Sequence, residues 1–173
     1  MKPRARALLA GGALLGIFAF VLLRWILVPY RIRGASMEPT LRGSLDIVLV
    51  SRHAYSGSAP RRFDVVAIRR SPDHESVKRV VGLPGETVEI RDGKLWINGS
   101  AAELPAVLAR EPLVSKGAFG RGKVELASGE VFVLGDAGYL SEDSRAWGPV
   151  PLTDLEGQIV WRVSPLSRWG KVE

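Results

Sequence analysis

From residue 34 onward, apolar positions come in short runs separated by Gly, Pro, Asn, Asp and Ser. No stretch there sustains a 3.6-residue period, so the pattern predicts strands rather than long helices. The candidate strands are Ile47–Val50, Val65–Ile68, Val77–Val81, Thr87–Ile90, Leu95–Ile97, Val131–Leu134 and Ile159–Val163. Asp92-Gly93 lies between TVEIR and KLWI and predicts a two-residue hairpin. Asn98-Gly99 marks the next turn; with Ser100 it also fits a glycosylation sequon, but turn chemistry explains the same residues. Residues 100–123 are the least regular and read as a surface loop or small excursion. The wider span 86–130 reads as a short intervening hairpin and loop region. No repeat or low-complexity tract appears. The expected class is mainly β, one domain over 29–173.

The first thirty residues follow a different pattern. After a short basic tail, residues 1–6, Ala7 to Leu23 is uncharged: ALLAGGALLGIFAFVLL. Arg24 interrupts it, and Trp25–Val28 is apolar again. As a helix, 7–28 would span roughly 33 Å, enough for a hydrocarbon core. Arg24 can snorkel, Trp25 and Tyr30 suit an interface, and Pro29 is expected to stop the helix. The rival reading is a cleavable signal peptide, which needs a small-x-small site after the apolar core. Here RWILVPYRIRG follows, bulky and basic, so 7–28 reads as a retained transmembrane anchor. Three basic side chains flank each end, so charge alone nearly ties on orientation; the free N-terminal amine tips it toward N-terminus inside.

Charge changes the picture once it is located. The chain has 173 residues and a formal net charge of +6. Lys2, Arg4, Arg6, Arg24, Arg31 and Arg33 carry all of it, because residues 34–173 hold 18 basic and 18 acidic groups. The β-rich part therefore has no net basic excess, and nucleic acid is not an expected partner. Arg61-Arg62 and Arg69-Arg70 read as solvated surface. The absence of cysteine excludes disulfides, thiolate metal sites and a cysteine nucleophile.

Three segments carry candidate chemistry. Ser36 stands in RGASMEPTL, where Gly34 and Ala35 leave the backbone approachable and Pro39 fixes the next turn. A serine needs a base to become nucleophilic. His53 and His74 sit in polar, loop-like contexts with no supporting spacing and read as surface groups. Lys78 stands in ESVKRVVGLPGE, where alternation puts Ser76, Lys78 and Val80 on one strand face and Val77, Arg79 and Val81 on the other. One of Lys78 and Arg79 then points inward if either face is buried. A buried lysine loses its proton readily and can serve as a general base, whereas a solvated strand lysine does nothing of the kind. The third segment, GDAGYLSEDSRAWGPV, is a polar loop in which Asp143 and Arg145 can pair and Ser141 or Ser144 can orient a neighbour.

Taken together and in order, the anchor, GASMEPTL, DIVLV, FDVVAI, VKRVVGLPGE and GDAGYLSEDSRAWG resemble the type I signal peptidases. These are membrane-anchored Ser/Lys proteases that remove signal peptides from exported proteins. The match runs from the anchor to about Pro151. The resemblance implies a fold of coiled antiparallel β-sheets and a catalytic domain outside the cytoplasmic membrane, with the N-terminus inside. It implies Ser36 as nucleophile, Lys78 as general base, Ser141 as the group that hydrogen-bonds Lys78, and Asp143 and Arg145 as supports. Met37, Pro39, Thr40 and Leu41 belong to the nucleophile segment. Gly82, Pro84 and Gly85 shape the turn after the lysine strand, and Gly135 and Asp136 open the last motif. Tyr30, Met37, Leu41 and Val77 are the expected substrate-binding walls.

Two departures stand out. Where the family commonly reads GDNR, this chain has Gly135-Asp136-Ala137-Gly138. Where some members carry an oxyanion-binding serine, this chain has Gly34, so the Ser36 backbone N–H is expected to carry more of that task. The implied partners are secretory preproteins with small residues at an Ala-x-Ala junction and membrane lipid; no metal or other cofactor is implied, and a monomer is expected. A relative dedicated to one client would share the same residues. An inactive tethered module has only Ala137-Gly138 in its favour. A self-cleaving repressor would lack an anchor, and a penicillin-binding enzyme needs the Ser-x-x-Lys that is absent here.

Overall fold

In the computed structural model, the described residues are Gly16, residues 26–71 and residues 74–173. Twelve strands form among them: β1 (Leu27–Arg31), β2 (Ile47–Ser51), β3 (Val65–Ser71), β4 (His74–Gly82), β5 (Thr87–Arg91), β6 (Lys94–Ile97), β7 (Ser100–Ala101), β8 (Lys123–Glu125), β9 (Glu130–Leu134), β10 (Val150–Pro151), β11 (Leu155–Ser164) and β12 (Gly170–Lys171). One short helix, α1, covers Ser144–Trp147. The large sheet runs β1-β2-β11-β3-β4-β9-β10, with β12 added to β11; the small one runs β7-β6-β5-β8. Every pairing is antiparallel.

Each expected strand lies inside an observed one. The hairpin at Asp92-Gly93 forms with φ of 52° and 72°, and Asn98-Gly99 turns with 51° and 81°. Both residues of each turn are left-handed, as the twist of a two-residue hairpin requires.

The anchor's C-terminal boundary is corrected. Leu27 and Val28 belong to β1, not to a helix, and Pro29 sits within that strand opposite Leu49. Proline is tolerated there because β1 is an edge strand and makes no second ladder. The apolar run continued across the boundary, which hid it. The basic tail and nearly all the rest of the expected anchor lie outside the described residues. Among the described residues no helix is long and apolar enough to cross a membrane.

The middle of the large sheet is buried on both faces. Val65 and Ala67 pack with Ile32, Met37, Leu41, Val48, Val50 and Ile159, while Val66 and Ile68 pack on the other side with Val80, Val131, Val133 and Val150. That is why β3 opens on the unbroken apolar run VVAI rather than an alternating one. A third cluster joins the small sheet to β4 and β9 through Val81, Val88, Ile90, Leu95, Phe132 and Leu134. Leu108 and Leu113 are buried in it too, so the irregular 100–123 segment is not merely a surface loop. The basic pairs are also more engaged than expected. Arg62 binds Glu86 and the Val81 carbonyl, Arg69 binds Glu75 and Glu156, and Arg70 stacks over Trp147 at 4.3 Å.

Candidate active site

Ser36 is carried on the turn between β1 and β2. Glu38 N donates to Ala35 O at 3.0 Å and Leu41 N to Met37 O at 2.8 Å, which curls the chain around it. Met37 and Leu41 are sunk into the core and pin the turn from below. The C-terminal hairpin braces it from the side: Arg162 donates to Thr40 O, and Arg168 donates to Pro39 O, Thr40 O and the buried Asp46. Sequence reasoning did not find these arginines, since Arg168 lies 122 residues from Asp46.

Lys78 comes from β4. Its Nζ donates to Ser36 Oγ at 2.9 Å, and the residue is only 4% exposed. Arg79 is buried as well, at 1% exposed. Neighbours project to opposite faces, and at this end of β4 both faces are covered. The two cations are handled in opposite ways. Arg79 makes a bidentate pair with Asp136, at 2.8 Å on each arm, and also donates to Phe63 O and Glu173 O. Among the described residues Lys78 has no carboxylate partner. Burial pushes its pKa below the ordinary 10.5; Asp143, Glu142 and Asp136 pull it back up, and Arg145 pushes it further down. Desolvation is the largest of these effects. Asp136 is held by Arg79, and Asp143 by Arg145.

Asp143 is the structural pin of the third segment. It accepts from Arg145 Nε at 2.7 Å and Nη2 at 2.6 Å, and from Gly135 N at 3.0 Å. It also caps α1 through Arg145 N at 3.3 Å. Arg145 donates onward to Gly138 O and Val114 O. Ser144 accepts from Val133 N, tying α1 to β9. Ser141 is buried beside the pair: a Cβ on Gly135 would come within 2.1 Å of Ser141 Oγ and 2.5 Å of Ser36 O. The expected hydrogen bond from Ser141 to Lys78 is not formed; Ser141 Oγ finds no partner among the described residues. The single Lys78 contact goes to Ser36 instead.

A cleft of about 490 Å³ opens on the Ser36 side, lined in part by Tyr30, Ile32, Gly34, Met37, Glu75 and Val77. Tyr30, Met37 and Val77 border this cleft, Met37 only marginally because it is 2% exposed and packed in the core. Leu41 does not: it is 0% exposed in the core and cannot touch a substrate. Tyr30 donates to Glu156 at 2.5 Å, and burial with that carboxylate pushes its pKa well up. Gly34 has φ of +75°, which a serine would occupy only with strain. His53 and His74 are exposed and make no contact with Ser36 or Lys78. Among the described residues no group of three His, Cys, Asp or Glu side chains converges to hold a metal.

Comparison with known proteins places the chain in a family. The family model described as "Signal peptidase, peptidase S26" matches residues 5–164. Signal peptidase I V of Bacillus subtilis is 33% identical over 144 residues, covering 78% of this chain and 84% of the relative. Signal peptidase IB of Staphylococcus aureus is 28% identical over 166 residues, covering 88% and 86%. A crystal structure of a signal peptidase I from Enterococcus faecalis aligns at 35% identity and a TM-score of 0.48, covering 58% of this chain and 96% of that one. The chain belongs to the signal peptidase family, peptidase S26, the membrane-associated serine endopeptidases that cleave signal peptides from preproteins.

Proposed function

We propose that this signal peptidase uses Ser36 as nucleophile and Lys78 as general base, cutting after small residues at Ala-x-Ala junctions. The observation that carries the reading is the 2.9 Å contact from a buried, carboxylate-free Lys78 to Ser36 Oγ. Neutral Lys78 takes the Ser36 proton as Oγ attacks the scissile carbonyl. The Ser36 backbone N–H stabilises the oxyanion; it donates to no other group among the described residues. Protonated Lys78 then gives its proton to the leaving amine, and an acyl-enzyme remains. Lys78 next activates a water, which hydrolyses the acyl group and frees Ser36. Asp143 and Arg145 hold the loop that carries Ser141 beside this pair.

The substrate binds as an extended strand in the cleft between β1 and β4. Two features support this. β1 is an edge strand, and β4 pairs with β9 only from Arg79 onward, so Glu75–Val77 have a free edge. Tyr30, Met37 and Val77 wall a space suited to small side chains. The apolar segment from Ala7, ending before β1, tethers the chain with its N-terminus inside and the β domain outside. Exposed Trp161, Leu166 and Trp169 give that domain an apolar surface for membrane lipid. The test is one gel. Detergent-solubilised protein is incubated with a preprotein carrying an Ala-x-Ala junction, as wild type, Ser36→Ala and Lys78→Ala. Cleavage by wild type alone is expected; cleavage by Ser36→Ala at the wild-type rate would overturn the assignment.

A further inference from the structure

We infer that Lys116, from the irregular segment before β8, is a positioning residue for this reaction, holding the Ser141 backbone in place beside Ser36 and Lys78. The inference rests on the proposed roles of those three residues. Lys116 Nζ donates to Ser141 O at 2.5 Å and to Tyr139 O at 3.3 Å. Arg145 holds Gly138 O at 2.9 Å, so two cations grip three carbonyls of this loop. The start of the loop is fixed by the Arg79–Asp136 pair and by Gly135 N on Asp143, but residues 138–141 have fewer ties. Tyr139 and Leu140 are 73% and 70% exposed and anchor nothing in the core. Ala137 and Gly138 offer no polar side chain. The backbone contributes Ala137 N donating to Ser36 O, and Leu140 N and Ser141 N donating to Ala137 O, each at 3.0 Å.

Lys116 is itself well placed to act as a clamp. Its segment is fastened to α1 by Phe119 N donating to Arg145 O at 3.0 Å and by Arg145 Nη1 donating to Val114 O at 3.2 Å. An ammonium has three donors and no acceptor, which suits a cluster of outward-facing carbonyls. Ser141 Oγ packs so closely over Gly135, beside the Ser36 carbonyl, that a small drift of the loop alters the pair. Lys116 therefore acts through Ser141 and does not touch the substrate.

The experiment measures kcat and KM on an Ala-x-Ala preprotein for wild type, Lys116→Met, Lys116→Arg, Ser141→Ala and the Lys116→Met/Ser141→Ala double variant. Loss of a charged hydrogen-bond donor is expected to lower kcat about tenfold in Lys116→Met, with KM within about twofold. Lys116→Arg restores most of it. In the Ser141→Ala background, Lys116→Met lowers kcat no further. Wild-type kcat in Lys116→Met, or equal losses in both backgrounds, would overturn the inference while leaving the Ser36–Lys78 assignment intact. Wild-type kcat in Ser141→Ala would remove the role of Ser141 and this inference with it. Thermal unfolding is recorded for each variant; if Lys116→Met does not fold, Lys116→Gln takes its place in the same cycle and is judged by the same outcomes.

Discussion

The two sheets treat polar side chains in opposite ways. In the small sheet, β5 alternates Thr-Val-Glu-Ile-Arg with Val88 and Ile90 buried, and its charged residues stay at the surface. The large sheet and the turns it carries bury Asp46, Lys78, Arg79, Ser141, Asp143, Ser144 and Arg145. Buried polar groups are costly unless paired. Three of the four buried cation and carboxylate clusters in that half are paired: Arg79 with Asp136, Arg145 with Asp143, and Asp46 with Arg168. Lys78 is the one left with only a hydroxyl. The large sheet carries a local desolvation penalty at Lys78, which lowers its pKa and favours the neutral amine.

The sharpest way to break this comparison is Lys78→Met. Activity is expected to fall by about 10⁴-fold or more, as when a member of a nucleophile–base pair is lost. Stability should move the other way. Lys78 has a folded-state pKa below its ordinary value, so between the two the unfolded chain holds more protons and wild-type stability rises with pH. At pH below that window the burial penalty is present in full. Lys78→Met should therefore be more stable than wild type at neutral pH, and the rise with pH should flatten. Urea unfolding across pH reads both effects.

Next in size is Asp143→Ala. It leaves Arg145 buried without its carboxylate and frees Gly135 N, and is expected to cost about 3–5 kcal/mol in chemical denaturation. The smallest effect belongs to the small sheet. Arg91 lies over the Trp96 ring at 4.1 Å, half exposed, so Arg91→Ala should cost about 0.5–1 kcal/mol and leave kcat unchanged. A large loss of kcat there would mean that the two sheets are coupled more tightly than their division of labour suggests.

What the sequence revealed follows the same division. The β5–β6 hairpin was legible because its signal is local: Asp-Gly between two alternating runs. The Ser36, Lys78 and Asp-Ser-Arg segments were legible as motifs; Lys78 reaches Ser36, while the Ser141–Lys78 bond expected with them does not form. The burial of Arg79 was not legible, since its partner Asp136 lies 57 residues away. Leu41 was misplaced because a residue in a functional motif can serve as the peg beneath the turn. The onset of β1 was masked because LVPYR continues an apolar run. The role of Lys116 had no sequence signal, as it depends on backbone carbonyls brought to it by the fold.

The proposed base role of Lys78 rests on its burial beside Ser36. The most direct test is the pH dependence of kcat/KM for preprotein cleavage between about pH 6 and 11, spanning the free lysine value near 10.4. The account predicts that activity rises with pH to a plateau, with an apparent pKa clearly below that of a free lysine. A rise that continues to the free lysine value, or a profile with no such ionisation, would contradict it.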